Sequence, residues 1–284
     1  MDDMDINAEV QHKPGHLTLV DGHVHIYDCF DMDALLNAAS RNFQAEALRQ
    51  GVGTSYSSLL MLTETARDHA FQGLLDDIKN DSATFEQWRL TLAAEDDAAI
   101  LAQNGSGESI ILVAGRQIIS SEGLEILALG VNKTFSDGAP LLNVLEDVSR
   151  SGAIAVIPWA VGKWLGRRGV LLRDLLCTGR DPRFFLGDNG GRPVFWRNPS
   201  HFRLARQVGI RILPGSDPLP FASEVSRIGS FGFALPGRVS DSRPMKDIKG
   251  LLGDPDVQIQ AYGRLQSPYR FFRNQLATRM NRKY

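Results

Sequence analysis

Along most of this chain, continuous apolar runs alternate with segments whose apolar residues are spaced three or four positions apart, as in a helix. The first run predicts a buried strand over about residues 17–21. Asp31 then precedes apolar residues spaced three or four positions apart, which predicts a helix capped by Asp31 and ending near Gln50. The run 54–62 predicts a second strand. The chain therefore opens as strand, helix, strand.

The region 84–131 breaks this rhythm. Residues 88–92 alternate between apolar and polar, Asn104-Gly105-Ser106-Gly107 reads as a turn, and 109–119 is a long β-rich run. We interpret the region as two or more hairpin-like strands, partly inserted into the main fold.

After residue 136 the strand–helix alternation returns. Alternation of this extent favours a parallel sheet that closes on itself, and no glycine-rich phosphate-binding fingerprint follows the first strand. The predicted fold is therefore α/β, a distorted (β/α)7–8 TIM-like barrel with the hairpin region 84–131 inserted. Strands are predicted at 153–158, 183–186, 210–213 and 226–234, and helices at 137–150, 169–178, 198–208, 242–252 and 267–282.

Domain organisation and composition are those of an ordinary globular protein. Residues 1–16 are polar and predict a flexible arm, and 17–284 predict one barrel domain that includes the basic C-terminal helix. Apolar residues make up 43% of the 284 positions, and the net charge of −2 gives no indication of a nucleic-acid partner, so none is expected. Cys29 and Cys177 are too few for a disulfide framework. Because no signal peptide or membrane-spanning run is evident, we expect a cytoplasmic protein.

His23 and His25 follow the first predicted strand directly. Two positions apart on an extended chain, both imidazoles point to the same side. Such a pair suits a divalent metal ion. The alternative is a cross-strand surface pair, or two satisfied polar groups at a rim.

Polar residues also follow three of the later predicted strands, where a barrel carries its catalytic groups. Asp217 could complete a metal shell with the two histidines or accept a proton, or it could form a turn before Pro218. Asp188 and Asn189 are candidate substrate-binding residues, with turn formation before two glycines as the alternative. The polar residues at these strand ends predict a functional site at the rim of the barrel.

Two cations and one tryptophan near the same rim are further candidates. Lys163 and Arg192 could hold an anion such as phosphate, and both are assigned catalytic and substrate-binding roles. The alternative for each is a solvated loop cation. Trp159 could form an apolar wall for a substrate ring, or pack in the core against a helix.

Three short motifs resemble the polymerase and histidinol phosphatase (PHP) family, within the wider group of metal-dependent barrel hydrolases that includes the amidohydrolases. Asp21-Gly22-His23-Val24-His25 is similar to the family's opening Asp-x-His-x-His. The segment 115–130 has the outline of the family's middle motif, and Gly215-Ser216-Asp217 that of its late Gly-Ser-Asp-Ala-His. The resemblance implies a distorted seven-fold barrel that binds divalent metals and hydrolyses phosphoesters.

Several family ligands are replaced here. Gln117 stands where the family has a glutamate, Glu125 where it has a histidine, and Pro158-Trp159 where it has His-Pro. Leu219 or Pro220 lies near the place of the last histidine. The resemblance then implies fewer than three ions, of zinc, manganese or iron. The implied ligands are His23, His25 and Asp217, with Glu122 or Glu125 as possible additions.

Two functions compete on this basis. The first is a PHP-like metal-dependent hydrolase acting on a small anionic substrate, such as a phosphoester. The second is a catalytically inactive PHP-like barrel that binds a metabolite or partner. A weaker hypothesis concerns residues 267–282, whose cations could contact a membrane surface, although such helices more often dock their phenylalanines on the body of the protein.

Overall fold

The computed structural model describes residues 15–178 and 184–281, so most of the predicted N-terminal arm lies outside the described residues. Strands and helices alternate along much of the chain, as predicted. The strands are β1 (Leu17–Val24), β2 (Tyr56–Leu62), β3 (Trp88–Ala93), β4 (Asp96–Asn104), β5 (Ser109–Val113), β6 (Gly115–Ile119), β7 (Glu125–Leu129), β8 (Ile154–Pro158), β9 (Phe185–Asn189), β10 (Ile212–Gly215), β11 (Gly232–Pro236) and β12 (Gln260–Tyr262). The helices are α1 (Met32–Arg49), α2 (Ala70–Lys79), α3 (Leu141–Arg150), α4 (Gly166–Thr178), α5 (Ser200–Gln207), α6 (Pro244–Gly253) and α7 (Pro268–Asn281).

The strands form two mixed sheets, and the predicted closed barrel was wrong. One sheet has the order β12-β11-β1-β2-β5-β4-β3 and the other β10-β9-β8-β7-β6. Six of the ten strand pairs among the described residues are antiparallel, whereas a TIM barrel is parallel throughout. In this described part of the chain, no strand ladder closes either sheet or joins the two.

The hairpin region 84–131 belongs to both sheets and is not a separate insertion. Strands β3, β4 and β5 extend the seven-stranded sheet, while β6 and β7 form one edge of the other. The long β-rich run is therefore two strands, which separate at Ala114. The switch needs Gly115, because a Cβ there would overlap the carbonyl oxygen of Leu62.

The two sheets share one apolar interior. Val20 and Met61 of the seven-stranded sheet and Leu127 of the other belong to the same buried cluster. Helix α1 covers the outer face of the first sheet, and α3, α4 and α5 cover that of the second. None of the helices in the described residues is long and apolar enough to cross a membrane.

The sheets meet at two edges without regular pairing. Strand β2 meets β6 through backbone bonds of Glu64 with Gly115 (3.1 Å) and Gln117 (2.8 Å). Strand β1 meets β10 so closely that a Cβ on Gly215 would overlap the backbone nitrogen of His23. Just beyond, the Asp217 N–H donates to the carbonyl of His23 at 2.9 Å. This second edge brings the loop after β10 onto the end of β1.

Candidate metal centre

The end of β1 holds two buried imidazoles against each other. His23 lies in the strand and His25 directly follows it. Their Nε2 atoms are 3.1 Å apart, and the two rings are tilted by 53°. The extended backbone thus points both nitrogens at one spot, as the two-residue spacing predicts.

Asp217 brings a carboxylate to the same spot from the other sheet. Its Oδ1 lies 3.5 Å from Nε2 of His23 and 3.6 Å from Nε2 of His25. Its Oδ2 accepts a hydrogen bond from the side-chain amide of Asn189, at the end of β9. Each of the two carboxylate oxygens therefore has a distinct environment, one toward the imidazoles and one toward the amide.

These three side chains fit a divalent metal ion. Two nitrogens that are each ~2.1 Å from one ion lie roughly 3.0–3.4 Å apart at the usual coordination angles, and the observed spacing falls in that range. Imidazole and carboxylate ligands suit zinc, iron and manganese. His23, His25 and Asp217 are the one such cluster found among the described residues.

The electrostatics of His25 favour the form that binds metals. Burial, and then the neighbouring His23, lower the pKa of His25 to about 4. At neutral pH its imidazole is therefore uncharged and has a lone pair to donate. Tyr27 stacks on the ring at 5.4 Å and fixes its plane.

Asp21, which the sequence identifies only as part of the Asp-x-His-x-His motif, holds the backbone around the centre. This fully buried carboxylate accepts hydrogen bonds from the backbone N–H groups of Ser216 (2.7 Å), Gly229 (2.8 Å) and His23 (3.3 Å). Burial raises its pKa to about 6 in spite of these bonds. Asp21 thereby ties β1 to the loop that carries Asp217.

A buried ion pair at the β2–β6 edge was also missed. Oε2 of Glu64 lies 2.8 Å from Nη1 of Arg116, and Oε1 accepts from the N–H of Phe71 at 2.6 Å. Burial raises the pKa of Glu64, although the Phe71 N–H and Arg116 oppose the shift. The only sequence signal was the position of Glu64 directly after a strand, as for Asp217. The pairing with Arg116 could not be read from the sequence.

Arg192 forms its hydrogen bonds with the end of β9 and the loop after it. Its guanidinium donates to both carboxylate oxygens of Asp188, at 2.7 and 2.6 Å, and to the carbonyls of Trp196 and Arg197, at 2.7 and 2.8 Å. The side chain is buried. With four internal bonds, Arg192 and Asp188 hold the loop after β9 in place. The anion-binding role of Arg192 and the substrate-binding role of Asp188 stay predictions.

The remaining candidates are dispersed. Lys163 pairs with Glu125 at 3.1 Å, and its side chain is partly exposed. Glu122 accepts from the N–H of Leu141 at the start of α3, so it serves as a helix cap. Trp159 is buried and packs edge-on against Trp196 at 5.5 Å, which is the packing that its core alternative describes, and the substrate-wall role stays a prediction.

Comparison with known proteins gives likeness in structure only. No family model and no curated protein sequence matches the chain. PsfC from Pseudomonas syringae PB-5123 is similar with a TM-score of 0.52 at 15% identity, over 94% of this chain and 99% of PsfC. The chain therefore has the overall fold of PsfC. The PHP resemblance has no support from a family model and stays a prediction.

Two further structures are less similar. The lesion-specific endonuclease PfuEndoQ from Pyrococcus furiosus gives a TM-score of 0.49 at 12% identity, over 86% of this chain and 57% of that one. Endonuclease Q in complex with a 27-mer duplex substrate, which has an abasic lesion at the active site, gives 0.47 at 12%, over 85% and 58%. This chain thus spans little more than half the length of either.

The expectation of no nucleic-acid partner is corrected. A net charge summed over the whole chain says nothing about the charge at one local site. The net charge of −2 therefore gives no ground for excluding a nucleic-acid partner.

Proposed function

We propose that this protein is a metal-dependent hydrolase of phosphoesters. One observation carries the proposal: two imidazole nitrogens and one carboxylate oxygen converge within 3.1 to 3.6 Å at the end of β1. Three protein ligands with further positions open is the arrangement that catalytic metals use. The three short motifs that resemble those of the PHP family favour the phosphoester over other substrates.

The chain's own residues orient the ligands in this scheme. A divalent ion held by His23, His25 and Asp217 would supply Lewis acidity toward water and phosphoryl oxygens. Asn189 holds the Asp217 carboxylate through Oδ2 and leaves Oδ1 directed at the imidazoles. Asp21 keeps the two strands in register behind them.

Lys163 is the proposed anion-binding residue. The Lys163 side chain keeps 30% of its surface exposed while it pairs with Glu125 at 3.1 Å. A phosphoryl group could therefore replace Glu125 as the partner of Lys163.

The test combines metal analysis with hydrolysis assays. Purified protein is analysed for bound zinc, manganese and iron, then assayed with p-nitrophenyl phosphate, bis-p-nitrophenyl phosphate and a duplex containing an abasic site. We expect metal binding and hydrolysis of at least one substrate, both lost in His23→Ala/His25→Ala. His69→Ala, which alters an exposed histidine, should retain both. Unchanged hydrolysis in the double variant would refute the proposal.

A catalytically inactive binding protein is the second candidate. Two acidic groups, Glu64 at the β2–β6 edge and Glu125 at the start of β7, are paired with Arg116 and Lys163. In a catalytically inactive protein, Arg116 and Lys163 could supply the positive charge that further metal ions supply in the PHP family. Thermal-shift screening separates the two candidates: a metabolite that stabilises the protein equally with chelator present, and is never hydrolysed, favours binding alone.

A further inference from the structure

Helix α7 carries four large apolar side chains on its solvent side. At 100° per residue they project within roughly 80° of one another, so they form one continuous stripe. We call these four residues the α7 stripe: Tyr269, Phe272, Leu276 and Met280, which are 78%, 57%, 62% and 71% exposed.

The stripe faces outward because the opposite side of α7 is anchored. Phe271 is buried against the protein body, and so is Asn274. The guanidinium of Arg270 reaches Glu224 at 3.0 Å. A surface helix normally turns its apolar face inward, whereas α7 buries an asparagine and leaves its stripe in water.

The exposed apolar surface continues from α7 onto the loop after β9. Phe195 is 57% exposed and stacks on Phe272, with ring centroids 6.0 Å apart and planes at 17°. It also packs edge-on against Phe271 at 5.7 Å. The patch is therefore held in shape by aromatic contacts.

Charge decides which occupant the stripe suits. Helical geometry places Arg279 on one side of the stripe and Arg273 on the other, both exposed. Six cationic and no acidic residues follow Asp256 in the sequence. A second copy of the chain would bring these arginines against arginines, which is unfavourable. An apolar stripe flanked by cations suits a surface that is both apolar and anionic.

We propose that α7 binds the surface of bilayers that contain anionic phospholipids. The α7 stripe enters the boundary between headgroups and acyl chains, and Arg273 and Arg279 contact lipid phosphates on either side. The helix lies in the plane of the surface, since 14 residues are too few to span a bilayer. The proposal is independent of the metal centre.

Cosedimentation of the full chain with vesicles tests the apolar part. Vesicles of phosphatidylcholine alone are compared with vesicles containing about one third phosphatidylglycerol. We expect binding to the anionic vesicles, weakened more than about tenfold when all four stripe residues become serine. The control Leu48→Ser/Leu165→Ser removes two equally exposed apolar side chains elsewhere and should bind as the parent protein does.

A charge variant tests the electrostatic part without touching the stripe. Arg273→Gln/Arg279→Gln should weaken binding to anionic vesicles roughly thirtyfold at low salt. Arg150→Gln/Arg173→Gln, with exposed arginines on α3 and α4, should bind normally. Both losses should occur with circular dichroism spectra and melting temperatures unchanged.

Several results would overturn the proposal. The first is failure of the parent protein to sediment with anionic vesicles, and the second is equal binding to neutral ones. A third is a parent dimer that becomes monomeric when the stripe is replaced, without vesicle binding, since the stripe would then join two copies. A fourth is stripe-dependent binding of a duplex oligonucleotide in place of vesicles.

Discussion

Asp217 adopts a backbone conformation that few residues other than glycine accept, with φ of 44°. Such a conformation costs about 1–3 kcal/mol in general, and least for aspartate and asparagine. Its N–H donates to His23 and its carboxylate accepts from Asn189. These two bonds therefore hold the Asp217 side chain at the imidazoles.

The role of the Asp217 charge can be separated from its backbone role. Asp217→Asn keeps the side-chain shape and tolerates the same φ, but it removes the anionic oxygen. We expect zinc affinity to fall by at least about 100-fold, while the unfolding free energy of the metal-free protein changes by less than about 1 kcal/mol. Competition with a chromophoric chelator and urea denaturation measure the two quantities.

Asp81→Asn is the matched control, because Asp81 is exposed and has φ of 54°. It should leave zinc affinity unchanged. Parent-like zinc affinity in Asp217→Asn would show that Asp217 is not a ligand.

The sequence predicts the position of a side chain only where that position depends on neighbouring residues in the chain. The spacing of His23 and His25 along a strand determines where both rings point, and no distant contact is needed. Arg192 shows the opposite case. Whether its guanidinium is free depends on the carbonyls of Trp196 and Arg197, and therefore on how the loop after β9 folds.

Glu224 links two elements that are far apart in the sequence. It lies in the 3-10 helix Ala222–Arg227, is buried, and contacts both Arg227 and Arg270 of α7 at 3.0 Å. Burial alone would raise the pKa of its carboxyl, but the two arginines hold it below its usual value of 4.5. The start of α7 is therefore fixed to the body by a buried charge.

Removing that charge should destabilise the protein in a pH-dependent way. Glu224→Gln leaves Arg227 buried without a counter-charge, so we expect a loss of about 3–5 kcal/mol of unfolding free energy at pH 7. Since the folded pKa is lowered, the stabilisation is present above the unfolded pKa and disappears as pH falls through the folded one. The difference from the parent protein should therefore shrink in acid.

Urea denaturation at neutral and acidic pH measures this difference. Glu146→Gln removes an exposed pair with Arg150 and should cost less than about 1 kcal/mol. A Glu224→Gln loss that is the same at both pH values would mean that packing, and not charge, joins these elements.

Element boundaries were predictable where the cap is local. Helix α1 begins after Asp31, whose carboxylate accepts from the N–H of Ala34, as the sequence predicts. The division of the run 109–119 into two strands could not be predicted, because both strands are apolar and rich in β-forming residues. Only contacts with β2 on one side and β7 on the other show that it divides at Ala114.

For the whole molecule, strand–helix alternation correctly predicted an α/β fold but wrongly predicted that the sheet closes into a barrel. Alternation predicts an α/β fold whether the sheet is open, closed or divided. Closure depends on which strands pair across long sequence separations. Here β11 returns antiparallel to β1, and β6 and β7 pair antiparallel to each other, so the two sheets remain separate.

The candidate metal centre bridges these two sheets, so a bound ion should stabilise the whole molecule. His23 and His25 belong to the end of β1, and Asp217 to the loop after β10. An ion that binds only the folded state adds about 2.7 kcal/mol at a hundred times its Kd, which corresponds to a rise in Tm of about 5 °C for a chain of this size.

Calorimetry with zinc or manganese, before and after chelation, measures this rise. The increase in Tm should be absent in His23→Ala/His25→Ala and retained in His69→Ala, which lies at the start of α2. An equal increase in the double variant would place the ion elsewhere on the protein. The increase should also be lost in Asp217→Asn. Because both imidazoles lie at the end of β1 and Asp217 lies beyond β10, loss in both variants would show that the ion joins the two sheets at the edge where β1 and β10 touch without a strand ladder.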